Sequence, residues 1–127
     1  MKKGVFTWSE NKIYKGDWRN NTLTGFGIFI QPGKTYKGYF YNDKKHGYGL
    51  YLFDNKEVII GNWLQDSLDG LSIQIDRDGV EQFFISRKKR EKKKIILNEE
   101  KENIISSENY KKLKTFYQNV KNRGNMI

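Results

Sequence analysis

Residues 14–30 read YKGDWRNNTLTGFGIFI, and residues 36–52 read YKGYFYNDKKHGYGLYL. Both open on Tyr-Lys-Gly and carry Gly-aromatic-Gly near the end, at the same internal spacing. A third stretch, IIGNWLQDSLDGLSIQI at 59–75, keeps part of the pattern. Gly16, Gly38 and Gly61 lie 22 and 23 residues apart, and the same steps separate Trp18, Phe40 and Trp63, and again Gly25, Gly47 and Gly70. Tyr14, Tyr36 and Ile59 form a fourth column, and Gly27, Gly49 and Ser72 a fifth. A fixed period of this length marks a repeat architecture, and it changes what each glycine within it means.

Each unit reads as two short strands joined by a turn. Tyr14, Gly16 and Trp18 are spaced by two, so in a strand they share one face, with a ring on either side of bare backbone. Glycine weakens a strand interior, and its recurrence predicts that something flat lies close against the chain, with the neighbouring unit's ring as the occupant. In the turns, Asn21, Asp43 and Asp66 occupy one column, and these residue types tolerate the left-handed backbone of a tight hairpin. Pro32-Gly33 and Asp54-Asn55 mark the turns between units. Gly4 to Trp8 matches the second strand of a preceding unit. Asp78-Gly79 followed by Glu81 to Ile85 reads as a degenerate first strand.

These stretches resemble MORN repeats, whose pattern is Tyr-x-Gly-x-Trp/Phe, a tight turn, then commonly His-Gly-x-Gly. The second unit, with His46-Gly47, is closest, and the third departs from it at Ile59, Asp69 and Ser72. The resemblance covers residues 4 to 85. It implies a mainly β, single-layer antiparallel meander of hairpins, with aromatics packed on glycines along one groove. The organisation expected is a MORN array over 1–85, followed by a basic, helical extension over 86–127. Within the array stand a half unit at 4–8, full units at 14–30, 36–52 and 59–75, and a degenerate unit at 79–85.

Composition agrees with a thin sheet. Of 127 residues, 36% are apolar and 15% aromatic, with mean hydropathy −0.85, so burial must come largely from rings. Cysteine is absent, which removes thiolate chemistry and Cys-based metal sites. No apolar run reaches the length of a signal peptide or a membrane span, and the chain reads as intracellular and cytoplasmic. Its net charge of +9 is concentrated in the tail: residues 1–85 hold 11 Lys+Arg against 10 Asp+Glu, and residues 86–127 hold 13 against 5.

Catalytic readings find little support. Gly25-Phe26-Gly27 and Gly47-Tyr48-Gly49 lack the third glycine and helix start of a dinucleotide fingerprint, since Ile30 and Leu52 stand where it would fall. His46 is the only histidine, and the carboxylates Asp43, Asp54, Asp66, Asp69, Asp76 and Asp78 scatter over turns. A single-layer sheet offers no dry cleft in which paired acids work. No catalytic residue, metal site or cofactor is expected.

The tail holds two features. Arg87, Lys88, Lys89, Arg90, Lys92, Lys93 and Lys94 form a basic run interrupted only by Glu91, which reads as a solvated linker or as a contact for an anionic surface. Two helical segments follow, an early one around Asn98 to Ile105 and a second, amphipathic one. In the second, Tyr110, Leu113, Phe116 and Val120 recur at helical spacing, Ser106 or Ser107 serves as N-cap and Gly124 as terminator. That stripe either caps the last strands of the array or docks on a partner.

The function expected is a non-catalytic scaffold or interaction subunit that binds a protein partner along a groove lined by Tyr14, Trp18, Tyr36, Phe40 and Trp63, and through the basic helical tail. The resemblance implies cytoskeletal, ciliary or membrane-associated assemblies, with self-association among the modes. The alternative is peripheral phospholipid binding, to phosphoinositides, through Arg87 to Lys94 and the aromatic face. Nucleic acid fits poorly, because rings and lysines occupy separate parts of the chain.

Overall fold

The computed structural model describes residues 2–8, 10–87, 91–95 and 98–123. Nine strands follow one another: β1 (Lys2–Trp8), β2 (Lys12–Arg19), β3 (Thr22–Gln31), β4 (Lys34–Tyr41), β5 (Lys44–Phe53), β6 (Val58–Leu64), β7 (Ser67–Ile75), β8 (Glu81–Arg87) and β9 (Glu91–Ile95). They pair in chain order as one antiparallel meander, and two helices complete the chain, α1 (Asn98–Ile105) and α2 (Glu108–Arg123). Mainly β, one meandering sheet with a helical C-terminal segment, is the expected class.

The turns within units are two-residue turns with both central residues left-handed. Asn20 and Asn21 have φ of 51° and 63°, Asn42 and Asp43 48° and 68°, Gln65 and Asp66 47° and 72°. This geometry matches the twist of a hairpin, and it selects Asn and Asp for their tolerance of that region. The Asp side chains also link neighbouring units. Asp43 Oδ1 accepts from Leu23 N–H at 2.7 Å while Asp43 N–H donates to Leu23 O at 3.1 Å. Asp66 does the same to Lys45, at 2.8 and 2.9 Å. The second and third of these turns thus bond the second residue of the strand one unit back.

The two glycines of Gly-x-Gly do different work, which the sequence pattern alone does not separate. Gly25, Gly47 and Gly70 have φ of 100°, 102° and 74°. They sit where the register between the two strands of a unit shifts, so this column shapes a bulge rather than making room for rings. The second glycines belong to a row in which Gly4, Gly16, Gly27, Gly38, Gly49 and Gly61 stand opposite one another across successive strands, ending at Ser72. Here the crowding is steric. A Cβ on Gly27 would meet Tyr14 Cζ at 2.5 Å, and one on Gly49 would meet Tyr36 Cζ at 2.5 Å.

The covering ring therefore comes from the same hairpin, not from the neighbouring unit as expected. Tyr14 lies over Gly27 of the partner strand while its hydroxyl donates to Asp17 O of its own strand at 2.9 Å, and Tyr36 over Gly49 donates likewise to Tyr39 O at 3.1 Å. The neighbouring unit contributes one step further out, by packing edge-on against the tyrosine. Tyr14 meets Phe40 at 5.4 Å and 88°, and Tyr36 meets Trp63 at 5.4 Å and 83°. Such pairs add about 0.5–1.5 kcal/mol each beyond burial.

The opposite face of the sheet holds the second core. Leu50, Val58, Ile60, Leu71, Ile73, Ile75 and Phe83 are buried there, and α2 crosses β5, β6 and β7 above them. Ser107 is the N-cap of α2, its Oγ accepting from Tyr110 N–H at 3.2 Å. Leu113 is buried, Phe116 packs between Tyr39 and Tyr48 at 6.3 and 5.9 Å, and Tyr110 stands edge-on to Phe83. Glu81 fastens the helix, accepting from Tyr110 Oη at 2.8 Å and pairing with Lys114. Burial and this bond to Glu81 push the Tyr110 phenol up to about 12.

The sheet also runs past residue 85, where the helical extension was expected to begin. β8 ends at Arg87, and the backbone of β9 pairs with it, Arg87 opposite Glu91 and Phe83 opposite Ile95. A lysine-rich stretch becomes a strand here because β8 presents it with an open row of backbone donors and acceptors, and such context overrides local propensity.

Candidate functional site: the aromatic groove

Alternation along the strands puts Phe6, Tyr14, Phe29, Tyr36, Tyr51 and Ile59 opposite one another on the face that carries the glycine row. Tyr14, Tyr36, Phe40 and Trp63, four of the five residues expected to line the groove, are 0%, 1%, 7% and 4% exposed. They form its floor, and Tyr36 and Phe40 also line its depression. Trp18, the fifth, is half-buried and stacks on Phe6 with centroids 4.2 Å apart. Burial pushes the phenols of Tyr14 and Tyr36 well above the ordinary tyrosine value, so both stay neutral and apolar in character.

The rings that meet solvent are others. Phe29 and Tyr51 are half-buried, and Phe6 and Trp8 are exposed. Trp8 packs on Phe29 at 5.7 Å, which continues the strip toward β1. Phe29 and Tyr51 fall in one column 22 residues apart, two places after Gly27 and Gly49, so the period did contain the signal for them. It is easily missed because the glycines draw the eye to the Tyr and Trp columns.

Between Phe29, Tyr36, Phe40 and Tyr51 the face sinks into a depression of about 280 Å³, polar at both ends. Lys34 stands at one end, its Nζ 4.6 Å from the Tyr51 ring centroid. At the other end lie Asp43, Asp66 and Lys45. Lys45 Nζ reaches back to 5.6 Å from the same ring and lies 3.5 Å from Asp66 Oδ1. An aromatic floor with cationic edges and a carboxylate rim can hold an extended segment by side-chain contact.

The remaining expected residues lie elsewhere. Tyr110, Leu113, Phe116 and Val120 all face the sheet, so the helix stripe is occupied within the chain. Arg87 is exposed at the end of β8; Lys88, Lys89, Arg90 and the terminator Gly124 lie outside the described residues, and Lys92, Lys93 and Lys94 are placed by backbone alone in β9. His46 is half-buried beside Tyr41, with rings 5.9 Å apart. Among the described residues no group of three or more His, Cys, Asp or Glu could hold a metal ion, and no helix is long and apolar enough to cross a membrane.

Comparison with curated proteins finds no match. Comparison with family models matches the MORN repeat over two stretches. They coincide with the hairpins whose tyrosines cover Gly27 and Gly49: the chain carries MORN repeats at residues 14–34 and 36–58.

Proposed function

We propose that this protein is a non-catalytic interaction subunit that holds a protein partner along the groove face of its sheet. The observation that carries the reading is the depression between Phe29, Phe40 and Tyr51, aromatic in its middle and charged at both ends, on a face whose floor is already packed. A rigid row of hairpins suits a scaffold, because binding costs little ordering of the protein itself. The test is site-specific photocrosslinking in cells. A photoreactive residue at Phe29 or Tyr51 is expected to capture one partner that the same residue at Leu64 or Val80, exposed off the groove, does not. Equal capture at all four positions would contradict the proposal.

A second reading, attachment to an anionic membrane surface, draws support from the charge of the C-terminal part. Arg87 is exposed at the hairpin leading into β9, and α2 turns Lys111, Lys112 and Lys121 outward. Clusters of this size gain about 1 kcal/mol per charge at an anionic bilayer. Phosphoinositide vesicles are expected to sediment the protein at low salt and to release it when Arg87, Lys88, Lys89, Arg90, Lys92, Lys93 and Lys94 are changed to Gln. Absence of salt-sensitive binding would remove this reading.

A further inference from the structure

The groove reading leaves the kind of segment open, and the charges of the depression narrow it. Lys34 makes no salt bridge among the described residues; its ammonium rests on the face of Tyr51. Cation and ring hold each other loosely there, and an incoming carboxylate can pair with the ammonium without displacing it. At the far end, Lys45 and Asp66 compensate each other, whereas Asp43 has only backbone bonded to its Oδ1. The depression therefore carries one uncompensated charge at each end, positive at Lys34 and negative at Asp43, with Leu23, Phe29, Phe40 and Tyr51 between them.

The spacing follows from β4. Lys34 Nζ reaches the level of Tyr36 and Tyr51, while the Asp43 carboxylate sits over the first peptide of β3, near the level of Asn42. Six residues of strand separate those backbone levels, roughly 20 Å, an upper bound on the spacing because Lys45 from the Asp43 end also reaches the Tyr51 ring on which Lys34 rests. An extended peptide laid along the strand direction covers that distance with about as many residues.

We infer that the groove takes an extended peptide segment of a partner protein, with an acidic side chain at the Lys34 end, a basic one at the Asp43 end, and apolar side chains between them. The inference rests on the groove reading above and adds polarity to it. Charge complementarity of this form fixes register and direction, since reversing the segment sets like charges against each other.

The experiment is selection of displayed random peptides of about ten residues on the immobilised full chain, beside two variants. Lys34→Glu reverses one end; Asp43→Asn removes the charge of the other while keeping the oxygen that accepts from Leu23 N–H. Urea midpoints equal to the parent's are required of both variants, which separates loss of binding from loss of fold. The expected result is enrichment of peptides with Asp or Glu and Lys or Arg flanking apolar residues, bound roughly tenfold more weakly by Lys34→Glu. Selection on that variant then favours a basic residue in place of the acidic one.

Enriched peptides that are apolar without charge preference would overturn the inference and leave the groove reading standing. No enrichment, or binding indifferent to Tyr51→Lys, would overturn both. Phosphoinositide vesicles bound by the parent and released by Lys34→Glu would overturn it too, assigning the ammonium to a lipid headgroup.

Discussion

The second unit, residues 36–52, and the third, 59–75, occupy equivalent places in one sheet and differ at three positions that matter. Tyr36 becomes Ile59, Lys37 becomes Ile60, and Gly49 becomes Ser72. By pattern alone the third unit looks decayed. In space each change answers another. Tyr36 covers Gly49, which has no room for a Cβ; at the equivalent place Ile59 brings no ring, Ser72 carries a Cβ and is fully buried, and Leu68 lies over Gly61. Lys37 is half-buried on the opposite face of β4, whereas Ile60 is fully buried in the core that α2 covers. The third unit has exchanged a ring-over-glycine lock on one face for an aliphatic seat on the other, and the difference records where the helix docks.

The largest effect should come from undoing that seat. Ile60→Lys restores the residue of the other units but buries a charge beneath α2, and is expected to cost about 4 kcal/mol, the range of an uncompensated buried ion. Urea unfolding measures the loss; a cost below about 1 kcal/mol would show that α2 does not seal this face. Gly49→Ala should follow, at about 3 kcal/mol, because the Tyr36 ring occupies the methyl's place. At the equivalent position Ser72→Ala is expected to be neutral or stabilising by up to about 1 kcal/mol, since Ser72 Oγ is buried without a partner.

Alkaline pH probes the tyrosines themselves. Burial raises the folded-state values of Tyr14 and Tyr36 above the ordinary 10.0, so the fold prefers their neutral forms. Their contribution is complete below about pH 10 and declines above it as the unfolded chain ionises first. The urea midpoint should be level from pH 8 to 9 and fall beyond 10, less steeply in Tyr36→Phe; an equal slope in that variant would remove Tyr36 from the account. Smallest is Asp43→Ala, expected to cost about 1 kcal/mol for the bond to Leu23 N–H. Asn21→Ala should cost less, since among the described residues its side chain makes no hydrogen bond to another unit. Equal losses at the two turns would mean that the link between units contributes nothing.

Much of this was legible because it is local. The period placed the hairpins, and the Asn and Asp columns announced left-handed turns that the backbone adopts. What a single column could not show was division of labour: Gly25 and Gly27 look alike in sequence, but one shapes a bulge and the other lies under a ring. The position of α2 depends on contacts across 29 and 33 residues, Tyr110 and Lys114 to Glu81, and no local pattern fixes those. A clue was present nonetheless, in the replacement of Lys15 and Lys37 by Ile60. β9 was hidden because its lysines favour no strand; pairing with β8 makes it one.

The central claim is that Tyr36 and Gly49 act as one unit, replaced together by Ile59 and Ser72. A double-mutant cycle tests it directly, with Tyr36→Ile, Gly49→Ser and the pair measured by urea unfolding. The account predicts that Gly49→Ser is far less damaging once Tyr36 is Ile, with a coupling of about 1–3 kcal/mol in that direction. Additivity within about 0.5 kcal/mol, the behaviour of independent sites, would contradict it.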